Sequence, residues 1–105
     1  MKNADFEITR DTYPDSAKFT LTGNINAVNA FKLQYKLEEA LKGGQVNIVL
    51  NMSGVEYLSS TGIRLILKNY KDAIKKGGKL AIETPSEYVR QVMSMTALDD
   101  MLIHK

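Results

Sequence analysis

The sequence predicts an α/β fold in which residues 1–105 form a single domain with a mixed, mostly parallel β-sheet covered by helices. Apolar residues alternate with a period of two in some segments and recur every three or four positions in others. The two kinds of segment follow one another in the order ββαβαβα, and such alternation is typical of parallel strands joined by crossover helices. The length of 105 residues fits one compact domain.

The first two strands are predicted at residues 5–10 and 17–22, where apolar and polar side chains alternate. Residues 11–16 are rich in turn formers, so we expect an antiparallel hairpin with a loop of about six residues. Gly23 is expected to end the second strand.

The first helix begins near Asn26, because Ala27, Ala30, Leu33, Leu37, Ala40 and Leu41 recur at helical spacing. Gly43-Gly44 ends it, since glycine readily adopts the left-handed conformation at a helix end. Residues 46–50 are mostly apolar and β-branched, which predicts a central strand. Ser53-Gly54 is expected to break the chain before a short segment at 55–58.

The second helix has the clearest apolar stripe, formed by Ile63, Ile66, Leu67, Tyr70, Ala73 and Ile74. Its outer face is predicted to carry Thr61, Leu65, Lys68, Asn69 and Asp72. Gly77-Gly78 ends this helix before a strand at 80–82. Ser86 then opens a third helix, with Val89, Val92, Met93 and Thr96 on one side, and residues 101–103 are compatible with a final edge strand.

Composition excludes several classes of function. The formal charge of +2 comes from interleaved acidic and basic residues, and no basic stripe is visible, so we expect no nucleic-acid partner. There is no cysteine and only one histidine, His104, which leaves almost no ligands for a transition metal. No apolar run approaches the roughly 20 residues that span a bilayer, and no signal segment is visible. We therefore expect a cytoplasmic protein with no membrane partner and no bound metal.

Catalytic motifs are also missing. The sequence contains no G-x-S-x-G, G-x-G-x-x-G or G-x-x-x-x-G-K-[ST] segment, and both Gly-Gly pairs follow helices instead of preceding them. A serine triad would need His104, next to the C-terminus. The sequence predicts a protein that is not an enzyme and needs no cofactor.

Three consecutive hydroxyl residues, Ser59, Ser60 and Thr61, precede the second helix. One hydroxyl is explained by N-capping, which contributes about 1 kcal/mol relative to alanine. A single cap does not account for the other two hydroxyls, so a second role for one of them stays open.

The segment 57–67, Tyr-Leu-Ser-Ser-Thr-Gly-Ile-Arg-Leu-Ile-Leu, resembles the mark of STAS domains of the bacterial anti-sigma factor antagonist type. Residues 21–27 resemble the turn before the family's first helix, 46–52 its central strand and 76–80 its glycine turn. Many members carry aspartate at the positions of Ser59 and Asn26. The neutral residues here predict a less acidic surface and a different charge match with the partner.

The resemblance implies a STAS-like fold and a regulator in a bacterial partner-switching module. Its partners would be an anti-sigma factor that is also a serine protein kinase, and a serine phosphatase. The unphosphorylated form would bind the kinase and release a sigma factor, and the protein would be a monomer when free. Ser60 is the implied phosphorylation site, with Ser59 and Thr61 as alternatives. The partner-binding residues would be Asn24, Asn26, Ser59, Ser60, Thr61, Gly62, Arg64, Leu65 and Lys68.

Two other functions stay open at this point. The same switch is compatible with an output other than a sigma factor. The chain is also compatible with a passive interaction or ligand-sensing STAS domain that is never phosphorylated.

Overall fold

Four strands form one mixed sheet in a computed structural model that describes residues 6–101. They are β1 (Phe6–Thr12), β2 (Ser16–Ile25), β3 (Asn47–Leu58) and β4 (Lys79–Glu83), in the spatial order β1-β2-β3-β4. β1 runs antiparallel to β2, whereas β3 is parallel to both β2 and β4. The predicted mixed, mostly parallel sheet and the order ββαβαβα are confirmed.

The hairpin of β1 and β2 has a tighter turn than predicted. Only residues 13–15 connect the strands, and the Tyr13 N–H closes the turn by donating to the Ser16 carbonyl at 2.8 Å. β2 also continues through Gly23 to Ile25, with Gly23 at a φ of 97°. The predicted end at Gly23 was wrong, because this residue keeps its pairing with Phe6 on one side and Val55 on the other.

β3 is one strand where the sequence predicted a break at Ser53-Gly54. Thr20 pairs with Asn51, but Thr22 pairs with Gly54, so β3 carries an extra residue in a β-bulge. A Cβ on residue 54 would lie 2.6 Å from the Thr22 Cγ2 atom. The glycine therefore permits close approach of the two strands and does not end the strand.

Two long helices make the crossover connections. α1 (Ala27–Lys42) joins β2 to β3, α2 (Ser60–Lys75) joins β3 to β4, and the two helices contact each other. The glycine pairs after them behave as predicted, since Gly44 and Gly77 have φ values of 91° and 89°. The core combines alternate strand residues with the inner helix faces and includes Phe19, Leu21, Leu33, Leu37, Ile48, Leu50, Ile66, Leu80 and Ile82.

The predicted inner face of α1 is confirmed except at its first residue, Ala27, which is exposed. The inner face of α2 differs more. Asn69, which was predicted on the outer face, is fully buried and donates to Gln34 Oε1 at 2.6 Å and to the Leu65 carbonyl at 2.7 Å. Leu65 is half-buried against the core, whereas Ile74 is half-exposed. The apolar stripe misled the prediction because α2 faces α1 as well as the sheet, and a polar pair lies in that interface.

A third helix, α3 (Glu87–Ser94), and a short 3₁₀ helix (Ala97–Met101) complete the described chain. Val89 and Met93 are buried as predicted, but the helix ends before Thr96. Met101 belongs to the 3₁₀ helix, so a final strand does not begin there, and residues 102–103 lie outside the described range. No helix within residues 6–101 has the length and apolarity that crossing a membrane requires.

Candidate functional site

The starts of α1 and α2 lie side by side at the carboxyl edge of the sheet. β2 and β3 are parallel neighbours whose last residues, Ile25 and Leu58, are paired in register. The Ser59 N–H donates to the Ile25 carbonyl at 2.9 Å and ties the two connections together. Ligand sites of open α/β sheets occur at this edge. The fold thus brings Asn24, Asn26 and residues 59–62 into one region.

Ser59 is the N-cap of α2. Its backbone is extended, with φ −75° and ψ 164°, and its Oγ accepts from the Gly62 N–H at 3.1 Å. Capping by one of the three hydroxyls is therefore confirmed, and the capping residue is the first of them. Ser60 is the first helical residue, and Ser59 and Thr61 are both half-buried.

The Ser60 side chain is exposed and forms no hydrogen bond with another residue of the described range. The Ser60 hydroxyl therefore does not cap the helix, whereas the Ser59 hydroxyl does. Of the three hydroxyl residues, Ser60 is the one presented to solvent at the helix start.

Gly62 holds the start of α2 against the sheet. The residue is buried, and a Cβ at this position would lie 2.9 Å from Leu58 Cδ1 and 3.0 Å from Ile25 Cγ2. These contacts are closer than carbon atoms normally approach, so a side chain here would have to shift the Leu58 and Ile25 side chains or the first turn of α2. The glycine therefore lets the first turn, which carries Ser60, lie close against the ends of β2 and β3.

The start of α1 is built from three asparagines. The Asn26 Oδ1 accepts from the Asn29 N–H at 2.8 Å and caps the helix, while the Asn29 Nδ2 donates to the Asn24 carbonyl at 2.7 Å. The Asn24 Oδ1 is buried and accepts no hydrogen bond within the described chain. The cap at Asn26 and the role of Asn29 were not predicted, although an asparagine just before a helical stripe is a recognisable N-cap signal.

Arg64 and Lys68 project from the outer face of α2 beyond Ser60, and both are exposed. The Lys68 Nζ donates to Asp72 Oδ2 at 2.8 Å. This hydrogen bond raises the pKa of Lys68 and lowers the pKa of Asp72. Leu65, by contrast, packs against the core and offers a partner only part of its side chain.

Tyr57, an exposed aromatic residue beside the site, was not among the binding residues predicted from the sequence. The ring of Tyr57 is stacked on that of Tyr88 with centroids 6.2 Å apart, and Tyr57 is 46% exposed. Tyr88 is held in place by its hydroxyl, which accepts from the Leu58 N–H at 3.2 Å. The available signal was a tyrosine two residues before the hydroxyl run. Exposed tyrosines of this kind are enriched at protein interfaces.

Within residues 6–101, no group of three or more histidine, cysteine, aspartate or glutamate side chains is arranged to hold a metal ion. The region combines helix starts, one free hydroxyl, an aromatic pair and cationic side chains. Such a surface is suited to recognising another molecule and to carrying a covalent modification.

The chain is similar to known proteins over most of its length. The profile of the family described as STAS domain matches residues 7–105. The chain is 28% identical over 82 residues to the anti-sigma-B factor antagonist of Bacillus subtilis, which covers 78% of this chain and 74% of that protein. It is 27% identical over 90 residues to BtrV of Bordetella bronchiseptica, provisionally named an anti-sigma factor antagonist, with 86% and 78% of the two chains covered.

The fold is similar to that of the Bacillus anti-sigma factor antagonist SpoIIAA. The structure of its unphosphorylated form superposes with a TM-score of 0.84 at 18% identity and covers 92% of this chain and 86% of SpoIIAA. The structure of its phosphorylated form gives a TM-score of 0.77 at 17% identity, covering 92% and 89%.

Proposed function

The chain belongs to the STAS domain family, and from this premise we propose that it is an anti-sigma factor antagonist controlled by phosphorylation of Ser60. In its unphosphorylated form it binds an anti-sigma factor that is also a serine protein kinase, and a sigma factor is released. The kinase phosphorylates Ser60, and the phosphorylated protein no longer binds it. A serine phosphatase removes the phosphate and restores the form that binds. The observation that carries the proposal is an exposed Ser60 hydroxyl, free of hydrogen bonds to described residues, at the start of α2.

The choice of Ser60 over its neighbours rests on their different environments. Ser59 is half-buried and its Oγ already accepts from the Gly62 N–H, so this hydroxyl is less available to a kinase. Thr61 is half-buried. A kinase must reach an accessible hydroxyl, and Ser60 meets this requirement without loss of a structural contact.

A phosphate at Ser60 is compatible with the folded domain. It adds about −1.5 to −2 charges, and the free N–H groups and dipole at a helix start favour an anion. Arg64, one turn further along α2, is exposed and supplies a nearby cation. Phosphorylation therefore weakens the complex with the partner and not the fold, because a bulky, hydrated phosphate obstructs a closely fitting interface.

The partner surface consists of the residues around this hydroxyl. Asn24 lies near the end of β2 and Asn26 caps α1. Ser59, Thr61 and Gly62 lie at the start of α2, and Arg64, Leu65 and Lys68 continue along the helix. Asn26, Ser59 and Gly62 contribute mainly by positioning the two helix starts.

The test begins with intact-mass measurement after incubation with ATP and a panel of candidate kinases. We expect a gain of one phosphate that is abolished in Ser60→Ala and retained in Thr61→Ala. Ser60→Asp should lower affinity for that kinase at least about tenfold, a loss of about 1.4 kcal/mol. The melting temperature of Ser60→Asp should stay close to that of the wild type.

Ser53→Asp is the matched control. Ser53 is also an exposed serine, but it lies within β3 and not at the start of a helix. It should bind the kinase like the wild type. Tight binding by Ser60→Asp, or no phosphate gained with any kinase, would overturn the proposal and favour a passive interaction domain.

A further inference from the structure

The outer face of α2 carries a row of four exposed cations, Arg64, Lys68, Lys71 and Lys75. At 100° per residue, these side chains and Ser60 fall within an arc of about 80°. The buried residues of the helix, including Gly62, Ile66 and Ala73, lie on the opposite side. Ser60 and Lys75 are about 22 Å apart along the helix axis.

Little negative charge offsets this row. Asp72 forms a salt bridge with Lys68, and Glu38 of α1 lies close enough to raise the pKa of Lys68 further. Within residues 6–101, Arg64, Lys71 and Lys75 form no salt bridge. A chain with a formal charge of only +2 thus concentrates positive charge on one helix face.

We propose that this row, called here the α2 basic face, recognises an acidic surface on the partner protein. The inference rests on the proposed function, because it specifies the chemistry of the same partner. Two observations support the inference. The row starts one helical turn after the exposed Ser60, so it is continuous with the proposed phosphorylation site. It is also positively charged, and complementary charge steers association between protein surfaces.

A protein fits the α2 basic face better than a nucleic acid does. The shallow groove along it is lined by Arg64, Leu67, Lys68, Lys71, Asp72 and Lys75. No aromatic side chain lines it within the described chain, so it offers no platform on which single-stranded bases could stack. Protein interfaces are more than half apolar in area, and the half-buried Leu67 adds an apolar side chain to the groove.

Phosphorylation of Ser60 would change the charge at one end of the α2 basic face. A phosphate of about −1.5 to −2 charges cancels the Arg64 cation and repels an acidic partner. Screening limits its reach to about 8 Å at physiological ionic strength, so it acts on the first turns and leaves Lys71 and Lys75 positive. Phosphorylation therefore removes the attraction where the interface begins, and the distal lysines keep steering the partner.

The test compares Lys71→Glu/Lys75→Glu with Lys32→Glu/Lys36→Glu, which makes the same charge change on exposed positions of α1. Association rates are measured with the kinase that phosphorylates the chain, between about 50 and about 300 mM salt. We expect the α2 variant to associate about tenfold more slowly at low salt, and the difference to shrink as salt rises. The α1 variant should match the wild type.

Equal slowing by both variants, or none by the α2 variant, would overturn this inference. If the kinase still binds and Ser60 phosphorylation still releases it, the proposed function survives that outcome.

A second measurement needs no kinase. An oligo-glutamate peptide titrated into labelled protein should shift the amide signals of residues 64–75 in the wild type and not in Lys71→Glu/Lys75→Glu. No shift would overturn the inference, and tighter binding of a DNA duplex than of the peptide would assign the face to nucleic acid instead.

Discussion

The starts of α1 and α2 share the same capping hydrogen bond but differ in the residues around it. Each helix follows a parallel strand, and each is capped by a side-chain oxygen that accepts from the N–H three residues on, Asn26 with Asn29 and Ser59 with Gly62. The first residue of α1 is Ala27, and that of α2 is the exposed Ser60. Beyond the caps, α1 exposes Val28, Phe31 and Tyr35, whereas α2 exposes the basic face.

In the proposed switch, this difference separates a helix start that serves stability from one that also carries regulation. In both starts the capping residue provides stability. The α2 start adds an exposed hydroxyl, a glycine that lets the first turn pack closely on the sheet, and a row of cations along the outer face. The proposed regulation thus depends on the residues around the cap and not on the cap itself.

The largest expected effect comes from filling the space at Gly62. Gly62→Val should lower the free energy of unfolding by about 2 kcal/mol, because its side chain would overlap Leu58 and Ile25. Ala27→Val, at the exposed first residue of α1, should change it by less than about 0.5 kcal/mol. Urea denaturation measures both, and similar losses in the two variants would remove the distinction between the helix starts.

An intermediate effect is expected from the caps. Asn26→Ala and Ser59→Ala should each lower the free energy of unfolding by about 1 kcal/mol, since each leaves an N–H of the first turn without its acceptor. Ser60→Ala should be neutral within about 0.5 kcal/mol, because its hydroxyl supports no described contact. Chemical denaturation of the three variants checks this, and a loss in Ser60→Ala equal to that in Ser59→Ala would make Ser60 structural.

The smallest expected effect concerns the Lys68–Asp72 pair. Asp72→Asn should lower stability at neutral pH by less than about 1 kcal/mol, because the pair is largely exposed. The pKa of Asp72 is lowered in the fold, so its contribution is present above the unfolded pKa and disappears as pH falls below about 4. The pKa of Lys68 is raised, so the contribution is also lost at strongly alkaline pH. Thermal unfolding from acid to neutral pH should show the wild type and Asp72→Asn converging at the acid end.

The sequence predicted most of the elements because their periods are strong and their ends are marked. The α1 stripe from Ala30 to Leu41 and the glycine pairs after both long helices were identified correctly. The wrong predictions concern residue types that occur in two different structural settings. Gly23 and Gly54 were interpreted as breaks, but both lie within paired strands. Asn69 was placed outside by polarity, although a partner on α1 permits its burial.

The order of the elements, the hydroxyl run at the start of α2 and the family resemblance could be predicted from the sequence, because they depend on patterns local to the chain. Which hydroxyl caps the helix and which is free follows from the folded arrangement, since it depends on how β2, β3 and α2 meet at Gly62. The α2 basic face is likewise formed only in the folded chain. Residues three and four apart are dispersed along a chain but become neighbours on a helix, and burial of the opposite side against the sheet and α1 turns them to solvent.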